Sequence, residues 1–130
     1  MEVDVDIRRA YEEPSEEDGR RFLVDRVWPR GRSRETLELE DWVRDVAPSD
    51  ALRKWFGHDL ERWEGFRRRY REELEERPEA LEPLLAAARD GPVTLVYGAR
   101  DTERNNAVVL REVLVDRLRD GNGSGTTRGA

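Results

Sequence analysis

The chain has 130 residues, and 30 acidic residues against 24 basic ones give it a net charge of −6 at neutral pH. This length accommodates one domain with a modest core, and the acidic balance disfavours general attraction to nucleic acid or to anionic lipid. The absence of cysteine excludes disulfides, thiolate nucleophiles and zinc sites built on cysteine. No apolar run approaches the ~20 residues that span a bilayer, and no signal-peptide pattern is present, so we expect a cytoplasmic protein without membrane association.

Two strands are predicted in the amino-terminal part of the chain. Apolar and acidic residues alternate over residues 2–9, which is the period of a half-buried strand. The apolar run from Phe22 to Val24 predicts a second strand over residues 20–27, buried on both faces. We expect these two strands to be neighbours in one sheet, joined by a turn that stops at Gly19.

The middle of the chain contains a loop and a well-marked helix. Pro29 predicts a loop over residues 29–34, and the ambiguous apolar pattern of residues 35–46 predicts irregular chain with a short strand near residues 42–45. Ser49 has the character of an N-cap, and the helix that follows it should stop at Gly57.

Helices dominate the carboxyl-terminal half. Apolar residues at helical spacing predict an amphipathic helix over residues 59–76 and another over residues 78–90. Five β-forming residues at 93–97 predict a central strand, which a last helix over residues 102–119 follows. The glycine-, serine- and threonine-rich residues 120–130 predict a disordered carboxyl-terminal tail.

This alternation of strands and helices predicts a single α/β domain over residues 1–119, with a small, mostly parallel sheet flanked by helices. Right-handed crossovers would bring the carboxyl ends of strands 20–27 and 93–97 to one rim of the sheet. Open α/β sheets bind ligands at that rim, so the polar residues after each strand are the candidates for a site.

The first candidates follow the second strand. Arg26 and Arg30 have the fork geometry that holds an anion, although either arginine could instead pair with one of the many carboxylates. Trp28, with Pro29, could stack on a ring of a ligand or could close the edge of the core. If the strand continues through Asp25, the side chains of Asp25 and Arg26 point to opposite faces, and only a bend would bring both into one pocket.

Further candidates lie near helix ends. His58, the only histidine, could handle protons together with Asp25, or could simply cap the preceding helix. Arg100 and Asn105 flank the start of the last helix and could complete an anion site, whereas Asp101 could cap that helix. The sequence predicts an anionic or phosphorylated small molecule as ligand, leaves open whether any reaction follows, and indicates no metal or particular cofactor.

Two other functions remain open at this point. Trp28, Trp42 and the amphipathic helices could pair with another chain in a non-enzymatic interaction module. The arginines from Arg26 to Arg34 form a locally basic loop that could associate with nucleic acid, although it is short and embedded among acids. The oligomeric state does not follow from the sequence.

Several motifs occur together at characteristic places: Arg8, Tyr11 and Pro14, then residues 24–31, then residues 47–49, then residues 52–58. Over about residues 3–119 the chain resembles the domain-of-unknown-function 488 (DUF488) family, of the short YeaO-like type. The resemblance implies a compact cytoplasmic α/β domain and no established reaction. Where that family typically has His-Asn-His-Ala, this chain has Arg104-Asn105-Asn106-Ala107, so both imidazoles are absent while Asn105 matches.

Overall fold

The computed structural model describes residues 3–127 and, within that range, the side chains of residues 3–120. Its centre is a four-stranded, wholly parallel sheet in the order β1-β4-β2-β3. The strands are β1 (Val5–Arg9), β2 (Arg20–Leu23), β3 (Asp41–Trp42) and β4 (Val93–Tyr97). The predicted single α/β domain with a small parallel sheet is therefore confirmed.

Within residues 3–127, five α-helices accompany the sheet: α1 (Arg34–Leu37), α2 (Asp50–Phe56), α3 (Trp63–Glu75), α4 (Pro78–Asp90) and α5 (Asn106–Thr127). Short 3₁₀ turns occupy Glu16–Asp18, Arg44–Val46 and Leu60–Arg62. Helix α5 continues into the predicted tail and residues 128–130 lie outside the described residues, so the disorder of residues 120–130 stays a prediction. No helix in the described part of the chain is long and apolar enough to cross a membrane.

Strand β4 occupies the centre of the sheet, and all five of its residues are buried. It pairs with β1 on one side and with β2 on the other, so the expectation that β1 lies beside β2 is wrong. The reason is the difference in side chains, because a strand whose five side chains are all buried needs cover on both edges and faces. Strand β1 exposes Asp6, and a charged residue of this kind suits an edge strand.

Both faces of the sheet are covered, but unequally. On one face, alternate sheet residues such as Phe22 and Leu95 join the main core with α3, α4 and α5. On the other face, Leu23 and Val96 form a smaller cluster with Leu37 of α1. Helix α1 lies in a region that the sequence predicted to be irregular, and Ser33 caps it by accepting the backbone N–H of Thr36.

Strand β2 ends four residues earlier than predicted, and the chain bends at residues 25–27. Two tryptophans account for the bend. The indole of Trp28 meets that of Trp42 edge to face, with ring centroids 5.3 Å apart. The Nε1–H of Trp42 also donates to the carbonyl oxygen of Asp25 at 2.7 Å, so this carbonyl is no longer free for a sheet partner.

Candidate functional site

A pocket of about 310 Å³ opens at the carboxyl ends of β2 and β4. Its lining comes from the bend after β2, the segment before α2, the end of α2, the loop after β4 and the first residues of α5. The lining residues are Asp25, Arg26, Val27, Ala47, Pro48, Arg53, Phe56, His58, Phe66, Gly98, Ala99, Arg104, Asn105 and Asn106. The pocket thus lies at the rim where parallel sheets place ligands.

Asp25 is fixed in the pocket lining by donors from two neighbouring elements. Its Oδ2 accepts the backbone N–H of Gly98 at 2.9 Å, and its Oδ1 accepts the side-chain amide of Asn106 at 3.0 Å. Burial raises the pKa of Asp25, while the hydrogen bonds from Asn106 and Gly98 and the charge of Arg53 oppose that rise. The effect of burial is larger than these opposing effects, so the pKa of Asp25 is raised overall.

Two arginines at the pocket share one carboxylate. Arg26 Nε lies 3.7 Å from Asp50 Oδ1, and Arg53 Nη2 lies 3.3 Å from the same oxygen. The Nε of Arg26 is buried and has no hydrogen-bond partner among the residues that the structure describes. The lining of the pocket includes three arginines, Arg26, Arg53 and Arg104, against a single carboxylate, that of Asp25, so its formal charge is positive.

Helix α2 carries Arg53, and its position is set by a capped and anchored amino-terminus. Ser49 Oγ accepts the backbone N–H of Leu52 at 3.1 Å, as an N-cap does. Ser49 also donates its own N–H and hydroxyl to Glu73 of α3, at 2.9 and 2.6 Å. The helix ends at Gly57, whose φ of 51° is left-handed, so both predicted ends of this helix are confirmed.

The opposite side of the pocket is formed by the start of α5. This helix begins at Asn106, four residues later than predicted, because Asn105 is its N-cap and accepts the N–H of Val108 at 3.0 Å. Asp101 instead closes a separate turn by accepting the N–H groups of Glu103 and Arg104. These hydrogen bonds hold the pKa of Asp101 below its ordinary value, and the charges of Arg104 and His58 contribute.

Aromatic side chains close the inside of the pocket, and His58 lies at its mouth. Phe56 and Phe66 are buried and stack with ring centroids 4.5 Å apart. His58 is exposed, and it follows Gly57 with a second left-handed backbone conformation, φ 60°. A histidine tolerates that conformation better than a bulky residue does. The pocket therefore combines an apolar wall with charged groups at its opening.

Of the predicted site residues, Asp25, Arg26, His58 and Asn105 all line this pocket. The bend after β2 is the reason that Asp25 and Arg26 both reach it. Trp28 lies outside it, because the indole packs on Trp42 and donates to the carbonyl oxygen of Arg32 at 2.6 Å. Trp28 packs against the smaller buried cluster, so its position fits the alternative prediction that it closes the edge of the core.

Arg30 and Arg100 also lie outside the pocket lining. Both are exposed. The loop that bears Arg30 is held against the end of β1, because Tyr11 donates its hydroxyl to the carbonyl oxygen of Arg30 at 2.9 Å and Arg32 Nε donates to that of Ala10 at the same distance. The predicted pairing of Arg26 with Arg30 is replaced by a pairing of Arg26 with Arg53.

The predicted site residues lack three polar residues of the lining, Arg53, Arg104 and Asn106. Arg53 precedes buried Phe56 by three residues in α2, so the two lie on one side of the helix, and this spacing was a signal that Arg53 borders the same pocket. Asn106 and Arg104 flank Asn105, so they belonged to the correct turn. Their roles depend on where α5 begins, which the sequence placed too early.

Other parts of the described structure are weaker candidates for a ligand site. A larger hollow of about 590 Å³ lies between the β2–β3 edge and α4, but it is an open groove, and its Arg20 is paired with Asp90 at 3.0 Å. Within the described part of the chain, no group of three or more His, Cys, Asp or Glu side chains is placed to hold a metal ion. The pocket at the strand ends is thus the candidate site.

Comparison with known proteins identifies the family. A family model described as the inactive DUF488-N3 subclade matches residues 4–128. The chain belongs to this DUF488 family. The uncharacterised Escherichia coli (strain K12) protein YeaO is 36% identical over 112 residues, which are 86% of this chain and 97% of YeaO.

Relatives of this DUF488 protein also occur in mycobacteria. The uncharacterised Mycobacterium tuberculosis (strain H37Rv) protein Rv3073c is 40% identical over 113 residues, which are 87% of this chain and 95% of the relative. The uncharacterised Mycobacterium bovis protein Mb3100c matches with the same identity and coverage. Among solved structures, none matches the chain at a significant level. The predicted membership of the DUF488 family, YeaO-like type, is confirmed.

Proposed function

We propose that this DUF488 protein binds a small anionic, phosphorylated molecule in the pocket at the strand ends and does not transform it. The size of the pocket, about 310 Å³, is at the lower end of the range for small-molecule sites. Such a volume favours a phosphorylated metabolite of a few carbon atoms over a dinucleotide. A cationic opening with an apolar wall behind it is suited to such a ligand.

The observation that carries this proposal is the unbalanced charge at Asp50. Arg26 and Arg53 both approach a single oxygen of that carboxylate, in a chain whose net charge is −6. Guanidinium groups hold phosphate by paired, charge-assisted hydrogen bonds. A bound phosphate would supply the second negative charge and would give the buried Nε of Arg26 an acceptor.

Binding without catalysis is favoured by the partner of Asp25. In this chain an asparagine amide donates to the Asp25 carboxylate, and an amide neither takes up nor releases a proton at ordinary pH. Asn106 stands where related sequences typically have a histidine, whose imidazole would make proton transfer feasible. The matching family is described as an inactive subclade, which supports the same choice.

The two rival functions have less support. The arginines that would contact nucleic acid are partly engaged within the chain, since Arg32 Nε donates to the carbonyl oxygen of Ala10 and Arg34 lies over the Trp28 ring. An interaction module would use exposed apolar side chains, and Val27 and Leu60 are exposed by 60% and 55%. The exposure of these two residues does not indicate which partner would bind, whereas the charges of the pocket indicate a class of ligand.

The proposal predicts ligand-dependent thermal stabilisation that depends on Arg26. In a panel of inorganic phosphate, sugar phosphates and nucleoside monophosphates, at least one compound should raise the melting temperature. At a hundredfold excess over the dissociation constant, the stabilisation is about 2.7 kcal/mol, or roughly 10 °C for a domain of this size. Arg26→Ala should weaken binding by at least about tenfold, the value of a charge-assisted hydrogen bond.

Arg30→Ala is the matched control, because it removes an arginine from the same loop outside the pocket lining. It should bind as the unaltered protein does. The contact between Arg26 and Asp50 is long, 3.7 Å, and partly exposed, so it contributes little to stability. Arg26→Ala should therefore fold, and its melting temperature without ligand reports this directly. The proposal fails if no panel compound stabilises the protein, or if Arg30→Ala and Arg26→Ala weaken binding equally.

A further inference from the structure

We propose that the ligand of this pocket carries an ammonium group as well as a phosphate, and that the Asp25 carboxylate binds the ammonium group. This inference rests on the proposed function, since it takes the phosphate to be held by Arg26 and Arg53. It assigns a role to Asp25, the one acidic residue of the pocket lining, whose carboxylate would face a like charge if the ligand were only an anion.

The first support is the unused capacity of Asp25. An ionised carboxylate offers about four acceptor positions on its two oxygens. The described residues supply two donors, the N–H of Gly98 and the amide of Asn106, one on each oxygen. Both donors are neutral. The carboxylate lines the pocket, so its remaining acceptor positions and its charge are available to a ligand.

The second support is the arrangement of exposure around the pocket. Asp25 is partly buried, and the lining that it shares includes Asn105 and Phe66, each only 3% exposed. The side chains of Arg53 and Arg104 are 54% and 44% exposed, and they mark the opening. A ligand in the pocket therefore meets a partly buried carboxylate as well as guanidinium groups that reach solvent.

The third support is the apolar part of the lining. The apolar lining includes Pro48, Phe56 and Ala99, which belong to three different segments. A short hydrocarbon link between the ammonium and the phosphate would contact such a wall, and apolar burial would add to the ionic contacts. The ligand class that matches all three regions is a small phosphorylated amine.

The test compares two probes that differ in one group. O-Phosphoethanolamine carries an ammonium group and a phosphate, and n-propyl phosphate has nearly the same shape with a methyl group in place of the ammonium. Isothermal titration of the full chain should show that phosphoethanolamine binds at least about tenfold more tightly, as expected for a hydrogen bond to a charged group. In Asp25→Asn this preference should disappear, while n-propyl phosphate still binds.

The outcomes separate this inference from the proposed function. Equal affinities in the unaltered protein, or tighter binding of n-propyl phosphate, would overturn the role of Asp25 and leave the phosphate site standing. A preference that survives in Asp25→Asn would also overturn it. If neither probe binds, the phosphate site itself is contradicted. The comparison of probes needs no variant, so it decides the matter even if Asp25→Asn does not fold.

Discussion

Asp18→Asn should lower the free energy of unfolding by about 3–5 kcal/mol, the usual cost of removing one partner of a buried ion pair. Asp18 and Arg21 are 4% and 3% exposed, and Arg21 Nη1 donates to Asp18 Oδ2 at 2.6 Å. Arg8 Nε donates to the other oxygen at 3.1 Å. An asparagine would leave the Arg21 charge buried without its counter-charge. Urea unfolding followed by tryptophan fluorescence measures the loss.

Glu17→Gln is the matched control, because Glu17 is exposed on the same 3₁₀ turn. It removes one negative charge next to Asp18 and should change the free energy of unfolding by no more than about 0.5 kcal/mol. A loss below about 1 kcal/mol for Asp18→Asn would show that the Asp18–Arg21 pair does not secure the turn between β1 and β2.

The same ion pair sets a direction for acid unfolding. Burial alone would raise the pKa of Asp18, but the N–H of Ser15 and the guanidinium groups of Arg21 and Arg8 together hold this pKa below its ordinary value of 3.8. The stabilisation is therefore complete above pH 3.8 and is lost as the pH falls through the lower pKa of the folded state. The stability difference between the unaltered protein and Asp18→Asn should shrink in that acid range.

Gly19→Ala should also be strongly destabilising, by about 2–6 kcal/mol. Gly19 has a φ of 66°, which costs an alanine about 1–3 kcal/mol, and overpacking adds a similar amount. A β-carbon at this position would lie 2.3 Å from the carbonyl oxygen of Pro92. That oxygen accepts the N–H of Arg20 at 3.1 Å, so the backbone there is held in place.

Gly91 provides the control for this prediction. Its φ of 167° is extended backbone, and a β-carbon there meets nothing within 4 Å. Gly91→Ala should leave stability unchanged or raise it by about 0.4–1 kcal/mol through the unfolded chain. Equal unfolding midpoints for Gly19→Ala and Gly91→Ala in the same urea series would contradict the close approach of Gly19 to Pro92.

The sequence predicted the elements whose signals are local. The five residues of β4 and the ends of α4 were predicted as they are found, because proline and glycine mark their limits. Helix α2 followed from the N-cap Ser49 and the stop at Gly57. The order of the strands in the sheet, in contrast, has no local signal in the sequence. Which strand separates β1 from β2 depends on how all the apolar faces are covered together.

The candidate site was predictable in its location but not in all its members. Asp25, Arg26, His58 and Asn105 follow or precede element ends, and parallel strands bring such ends to one rim. Arg30 was misplaced because the hydroxyl of Tyr11, 19 residues away in sequence, holds its carbonyl group elsewhere. Arg53 was missed because its partner Asp50 also approaches Arg26, a contact that only the folded chain creates.

The most direct test of the phosphate pocket is an NMR titration that follows the side-chain Nε–H resonances of the arginines during addition of inorganic phosphate. The resonance of Arg26 should shift and saturate, because phosphate would accept a hydrogen bond from its buried Nε. The resonance of exposed Arg30 should stay nearly unchanged. If the Arg26 resonance does not move, or if both resonances drift together without saturation, the pocket is not a phosphate site.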